Sequence, residues 1–386
     1  MMVTQLFKAF FRSEKAGGLL LLACTALSLL WSNSPWQASY LSFWQLPVGT
    51  HSLVEVINDG LMTLFFLLIG LELERELYQG ELSTPKDAAL PVVAALGGML
   101  VPAGIYLLFN AGTPTQRGAG IPMATDIAFA LAVLSLLGRR VPVALKVFLT
   151  ALAIIDDLGA IVVIGLVYSK GLSLIHLGIA GGIWGTLLLL NRLRVQTLIP
   201  YLVGGAAMWY FMLHSGVHAT LTGVLVAFAI PFGDGSEHSA SYRLQQFLHQ
   251  PVAFIILPLF ALANTALPIG NIASGTFVQP YSLGIGLGLV LGKPIGILLA
   301  CALAIRLRWG KLPAGMTWKQ LAGVGLLAGI GFTMSVFITL LAFEADALIQ
   351  GAKLTILSAS LLAAVAGYVV LRKLLPAPTP GSETND

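Results

Sequence analysis

Apolar runs long enough to cross a bilayer follow one another along almost the whole chain, parted by short polar connections. A helix needs about 20 apolar residues to cross the hydrocarbon. On that measure the pattern predicts twelve transmembrane helices, at 10–31, 53–76, 88–109, 120–137, 143–168, 172–190, 196–213, 215–230, 247–268, 281–304, 319–343 and 349–371. The first has the outline of a signal peptide, with Lys8, Arg12 and Lys15 at its start. Trp31-Ser32-Asn33-Ser34-Pro35 is a poor small-residue cleavage site, so the run counts as a span. The expected fold is an all-α membrane protein with a single transmembrane domain over 1–375. A disordered cytoplasmic tail is expected at 376–386, where Pro, Thr, Gly, Ser and Asp prevail.

The polar positions between the runs support this count. With both termini cytoplasmic, the inner segments hold seventeen Lys and Arg residues, whereas the outer ones hold three: Arg117, Lys170 and Lys353. Basic residues collect on the cytoplasmic side of membrane proteins, and an odd number of spans would scramble the asymmetry. Composition agrees, with 57% hydrophobic and 10% charged residues against about 25% charged in soluble chains. The net charge of +4 and pI near 9.1 would hint at nucleic acid in a soluble protein, but here the basic residues are spread among loops as topology signals. Cys24 and Cys301 both fall in apolar runs and read as packing residues rather than a disulfide framework. Residues 32–52 carry Trp36, Tyr40, Phe43 and Trp44 without Lys or Arg. They form either an interfacial aromatic belt or a short hairpin that pairs with a second subunit.

Two groups of spans resemble each other. Pro102-Ala103-Gly104-Ile105 recurs as Pro294-Ile295-Gly296-Ile297, and Thr125 to Phe129 has a counterpart in Thr333 to Phe337. Glycines lead into both Thr-containing runs, at 118 and 120 and again at 323, 325, 329 and 331. The third to fifth and tenth to twelfth spans start on opposite sides of the membrane, so the match predicts an inverted-topology repeat. Paired spans interrupted by Gly and Pro are the best sequence pointer to a transporter site.

Three carboxylates, Asp126, Asp156 and Asp157, interrupt the apolar runs. A charge at bilayer depth costs about 2.5–3.5 kcal/mol even on the most lenient scale, and such residues usually mark an ion or proton pathway. Asp126 lies 13 residues before Arg139, and Asp157 lies 17 after Arg140. At about 1.5 Å per helical residue, with more where the chain is extended, both lie ~20–25 Å from the inner loop. Lys293 lies 13 residues from both Pro280 and Arg306, near the midplane. Adjacent helical side chains diverge by about 100°, so Asp156 and Asp157 face different partners: one lines the cavity with Asp126, the other pairs with Lys293. Carboxylate, Thr125 hydroxyl and carbonyl oxygens suit a hard cation. Burial and mutual repulsion disfavour ionising both carboxylates together, so protons and cation compete for the same oxygens. At a site of alternating access, that competition makes an exchanger. The alternative is a packed ion network that merely fixes the helices.

These features belong to longer motifs: Ile57-Asn58-Asp59-Gly60, Gly70-Leu71-Glu72-Leu73-Glu74-Arg75-Glu76-Leu77, Ala124-Thr125-Asp126-Ile127-Ala128-Phe129-Ala130, Ile155-Asp156-Asp157-Leu158-Gly159-Ala160, Ser215-Gly216-Val217-His218-Ala219-Thr220, Gly292-Lys293-Pro294 and Gly331-Phe332-Thr333-Met334-Ser335. With them the chain resembles the NhaA-type bacterial sodium/proton antiporters over nearly its whole length. The resemblance implies that Asp156 and Asp157 carry cation and protons, that Thr125 and Asp126 complete the site where two broken helices cross at mid-membrane, and that Lys293 is the positive partner. Asp157 beside Asp126 is the expected sodium ligand, while Asp156 is expected to spend part of the cycle paired to Lys293. The resemblance also implies electrogenic exchange of cytoplasmic sodium or lithium for external protons, in an inner-membrane homodimer contacted partly through 32–52. No resident cofactor is expected, only the transported ions.

Glu72, Arg75 and Glu76 are either part of the family's cytoplasmic pH-sensing mouth or an ordinary charged helix end. His249 follows Gln245 and Gln246, where related transporters often carry an acid and a histidine. Glutamines do not titrate, so the sensing cluster is thinner in this chain. His218 is a candidate titrating relay or a hydrogen-bonded packing residue, and Asp59 reads as a structural hydrogen-bonding group. Two other function classes fit less well. An intramembrane aspartyl protease would carry Gly-x-Gly-Asp, but Ile154-Ile155-Asp156 precedes Asp157. A sodium-coupled symporter of an organic solute would need an aromatic cage or a basic anchor besides Lys293. His-Glu-x-x-His and phosphate-loop motifs are both missing.

Overall fold

The computed structural model describes residues 14–80, 82–169, 171–272 and 275–376. Lys8, Arg12, Lys170 and the tail from residue 377 lie outside the described residues. In chain order come α1 Glu14–Ser32, α2 Gln37–Trp44, the strands β1 Pro47–Val48 and β2 His51–Ser52, α3 Leu53–Tyr78 and α4 Pro85–Asn110. A 3-10 segment, Gln116–Met123, leads into α5 Ile127–Ser135. Then follow α6 Val143–Val167, α7 Leu174–Arg192, α8 Ile199–Leu213, α9 Leu221–Ala227, α10 Ala240–Asn264, α11 Pro280–Arg306, α12 Trp318–Ala328, α13 Phe332–Ala342 and α14 Asp346–Leu374.

Among the described residues nine helical segments are long and apolar enough to cross a membrane, or ten if α12 and α13, bent by 46°, count as one. The two predicted spans that fall short are the seventh and eighth. Helix α8 has 15 residues. Within 215–230 only the 7-residue α9 is α-helical, because Gly216 at φ +82° stops a helix at the start and Pro231 follows at the end. The ninth span begins earlier than its apolar run. Ser239 caps the Tyr242 N–H at 3.2 Å, and two turns of mixed polarity precede residue 247. Residues 32–52 contain both α2, which buries Tyr40 and Trp44, and an exposed antiparallel hairpin. The two cysteines are unpaired.

Three spans carry π turns, at Val56–Leu61, Val252–Ile256 and Gly288–Gly292. Two have a plain cause. Proline lacks an N–H and its ring clashes with the carbonyl four residues earlier. For Pro258 and Pro294 those carbonyls belong to Phe254 and Val290, inside the second and third π turns, where the wider helix relieves the clash. Lys293 directly follows the last. Helices α4 and α11 cross at Gly97 and Gly296, and a Cβ on either would meet the other's carbonyl. Small residues let membrane helices approach this closely, which brings Lys293 towards α6.

Candidate cation and proton site

The site forms where two interrupted spans touch. After the 3-10 segment the chain runs extended through Ala124–Asp126 before α5 begins. Between α12 and α13 the break falls at Gly329–Gly331. The two breaks supply each other's missing backbone bonds. The Asp126 N–H donates to the Ile330 carbonyl at 2.7 Å, and the Thr125 hydroxyl lies 2.8 Å from the Ala328 carbonyl, so the carbonyl end of α12 is satisfied. Asp126 serves the opposite ends. Its Oδ1 accepts from the Phe129 N–H at 2.9 Å, capping α5. Its Oδ2 accepts from the Thr333 N–H at 3.0 Å and the Thr333 hydroxyl at 2.5 Å, in the first turn of α13. One carboxylate thus faces the positive ends of two helices.

Helix α6 brings the other two acids to this crossing. Asp156 Oδ2 accepts from Lys293 Nζ and lies 2.7 Å from the Thr125 hydroxyl. Lys293 Nζ also donates to Thr125 Oγ1 at 2.9 Å. Asp157 points elsewhere. Among the described residues neither of its oxygens meets a hydrogen-bond donor, although Asp156, Asp126, Lys293 and Glu72 all act on it electrostatically. Asp156, Asp157 and Lys293 are each 0% exposed. A buried carboxylate with no donor is costly and is relieved by a proton or a cation. The two expected sodium ligands differ here. A carboxylate offers about four acceptor positions; donors take three at Asp126 and none at Asp157.

Cavities approach from both ends. One of about 790 Å³ is lined by Glu72, Arg75, Glu76, Gln245, Gln246 and His249, and reaches Ile127 and Ile154, each within two residues of a site aspartate. The other, about 630 Å³, is bounded by Arg117, Gly120, Met123, Val163 and Tyr168. The pH-sensing candidates therefore line an approach, apart from the cluster itself. His249 Nδ1 lies 4.0 Å from Glu72 Oε1, and Arg75 sits 5.2 Å over the Tyr242 ring. His218 packs edge-on against Phe337, with ring centroids 5.4 Å apart, one turn along α13 from Thr333. It bonds Thr220 Oγ1 at 2.7 Å and lies 3.6 Å from Asp59 Oδ1.

Thr333 and the Ala328 and Ile330 carbonyls were not among the expected site groups. The correspondence between Thr125–Phe129 and Thr333–Phe337 held the signal for Thr333.

Crossed helix breaks around buried ionisable groups, approached by cavities from both ends, are the build of a secondary transporter. The sequence model of the family Na+/H+ antiporter 1 matches residues 8–371. The chain is 61% identical over 375 residues to the Na(+)/H(+) antiporter NhaA of Flavobacterium psychrophilum, covering 97% of this chain and 98% of that one. With the Na(+)/H(+) antiporter NhaA of Cytophaga hutchinsonii it shares 56% identity over the full length of both. The chain belongs to the Na+/H+ antiporter 1 family. Its fold is also similar to that of the sodium proton antiporter MjNhaP1 from Methanocaldococcus jannaschii, with a TM-score of 0.52 at 18% identity, covering 98% of this chain and 100% of the other.

Proposed function

We propose that this chain exchanges cytoplasmic sodium or lithium for external protons across a bacterial inner membrane. Asp157 is the principal ligand for cation and proton, with Asp126 and Thr125 completing the site. Asp156 spends part of the cycle paired to Lys293. The observation that carries this reading is the pair of Asp157 oxygens, buried without a donor beside an aspartate already neutralised by lysine. Two acids that load protons as one monovalent cation leaves make the exchange electrogenic. Family membership supports the choice of ions, and the geometry supports the roles given to the residues.

The same reading takes residues 1–375 as one transmembrane unit of twelve crossings, with α8 and 215–230 as the seventh and eighth. Both termini are cytoplasmic, and an inverted repeat relates the third to fifth spans to the tenth to twelfth. The matching breaks at Ala124–Asp126 and Gly329–Gly331 favour it. Glu72, Arg75, Glu76 and His249 respond to pH at the inner mouth, and His218 responds farther out. The exposed hairpin within 32–52 offers a surface for a second copy.

Everted membrane vesicles test the site. Sodium or lithium added to vesicles with a preformed pH gradient is expected to collapse it, and Asp157→Asn is expected to abolish the response. Wild-type exchange in that variant would overturn the assignment.

A further inference from the structure

The outer half of the first broken span is held by hydroxyls from three other spans. Tyr106 Oη on α4 donates to the Thr115 carbonyl at 2.7 Å. Tyr168 Oη, next to the end of α6, donates to the Arg117 carbonyl at 2.8 Å. Ser335 Oγ on α13 donates to the Ile121 carbonyl at 2.7 Å. A 3-10 segment has poorer internal hydrogen bonds than an α-helix, and Pro122 removes one donor from this one, so outside donors set its position. Glycine makes room for both tyrosines. A Cβ on Gly118 would fall 2.7 Å from Tyr106 Cζ, and one on Gly120 would fall 2.6 Å from Tyr168 Oη.

Tyr168 differs from the other two because it is carried at the end of the helix that bears the aspartates. That helix meets the first broken span through side chains at two levels. At the site the Thr125 hydroxyl lies 2.7 Å from Asp156 Oδ2. About 18 Å farther along, at about 1.5 Å per residue, Tyr168 holds the Arg117 carbonyl. Besides the packing of α6 against α4 and α5, this second hydrogen bond ties the far end of the helix to the segment that leads into Thr125 and Asp126.

We infer that Tyr168 is a positioning residue for the cation site: its hydroxyl holds α6 in register with Thr125 and Asp126, so that Asp157 meets the cation at binding distance. This rests on the proposed role of Asp157. Tyr168→Phe removes the hydroxyl and keeps the ring. Loss of one buried hydrogen bond acting through geometry is expected to raise the sodium KM about threefold to tenfold, with the maximal rate within about twofold of wild type. Gly120→Ala displaces the same hydroxyl from the other side and is expected to raise KM likewise. The double variant is expected to exceed neither single one, because both act on one contact.

The measurement is sodium-dependent proton movement in everted vesicles at matched protein amounts. A merely structural tyrosine would lower protein amount, thermal stability or maximal rate and leave KM unchanged; that result overturns the inference, as does wild-type behaviour of both variants. Asp157→Asn in the same membranes separates the two readings. Its retention of wild-type KM would sink the site assignment, whereas the role of Tyr168 stands or falls on the KM of its own variants.

Discussion

Adjacent aspartates on one helix look interchangeable in a sequence, yet their surroundings are opposite. Asp156 is bound to Lys293 and reached by Thr125, whereas both oxygens of Asp157 lack a donor. The divergence of about 100° between neighbouring side chains is enough to produce this. Removing one partner of a fully buried pair leaves the other uncompensated, at about 3–5 kcal/mol. Lys293→Ala is therefore expected to lower the thermal unfolding temperature of the purified protein in detergent. Combining it with Asp156→Asn is expected to recover part of the loss, because Asp156 then no longer stays buried as a charge without its partner. A double variant less stable than Lys293→Ala alone would show that the pair is not the source of the effect. Asp126, Asp156, Asp157 and Lys293 were legible as one cluster because counting residues from the loops gives depth. Tyr168 was not, and Thr333 only through its correspondence with Thr125, since their hydroxyls reach across to other spans, Thr333 to the Asp126 carboxylate and Tyr168 to the Arg117 carbonyl, and no spacing along the chain encodes those pairings.

Helices carry the site by being imperfect. The π turn at Gly288–Gly292 sits directly before Lys293 and contains the Val290 carbonyl that Pro294 would otherwise strike. It thus relieves the proline and aims the lysine together. The crossing of α4 and α11 depends on Gly97 and Gly296, each facing the other's carbonyl. Gly97→Ala forces the two helices apart, and overpacking of this kind typically costs about 1–3 kcal/mol. Thermal stability is expected to fall, together with exchange activity, because Lys293 retreats from Asp156. Wild-type stability and activity in this variant would contradict a close-packed crossing. The predicted element limits held where long apolar runs end in polar loops. They shifted at Ala240, where a serine cap starts a helix of mixed polarity, and at 215–230, where glycine breaks one.

Across the whole molecule, the cavity lined by Glu72 and His249 and the site are separate places joined by short stretches of α5 and α6. In the proposed pH response, a change of charge at Glu72 would reach the aspartates through these elements and through space. The stretch 231–241, which leads from α9 into α10, is fastened to the end of α3, which forms one wall of that cavity. Glu74 Oε2 accepts from Ser241 Oγ at 3.1 Å, Gln79 donates to the Asp234 carbonyl at 2.7 Å, and Tyr78 packs on Phe232 with ring centroids 5.0 Å apart. On the opposite wall Gln245 and Gln246 face the cavity without titrating. Gln245→Glu with Gln246→His is expected to steepen the dependence of exchange on pH relative to wild type, as read from vesicle activity across a pH series. An unchanged profile would mean that the mouth does not set the response.

The sequence by itself determined that the chain is a helical membrane protein, which carboxylates lie deep in it and which lysine opposes them. Hydrophobic length, the distribution of basic residues and the depth of each charge are local or additive properties, and they survive in one dimension. Only the tertiary structure decided that Asp126 caps two helices, that among the described residues both Asp157 oxygens lack a donor, and that three hydroxyls hold the 3-10 segment. Those choices depend on the angle at which two broken spans cross and on which carbonyls the breaks leave unpaired. In a membrane interior no water can satisfy such groups, so the partners come from other spans, distant in sequence.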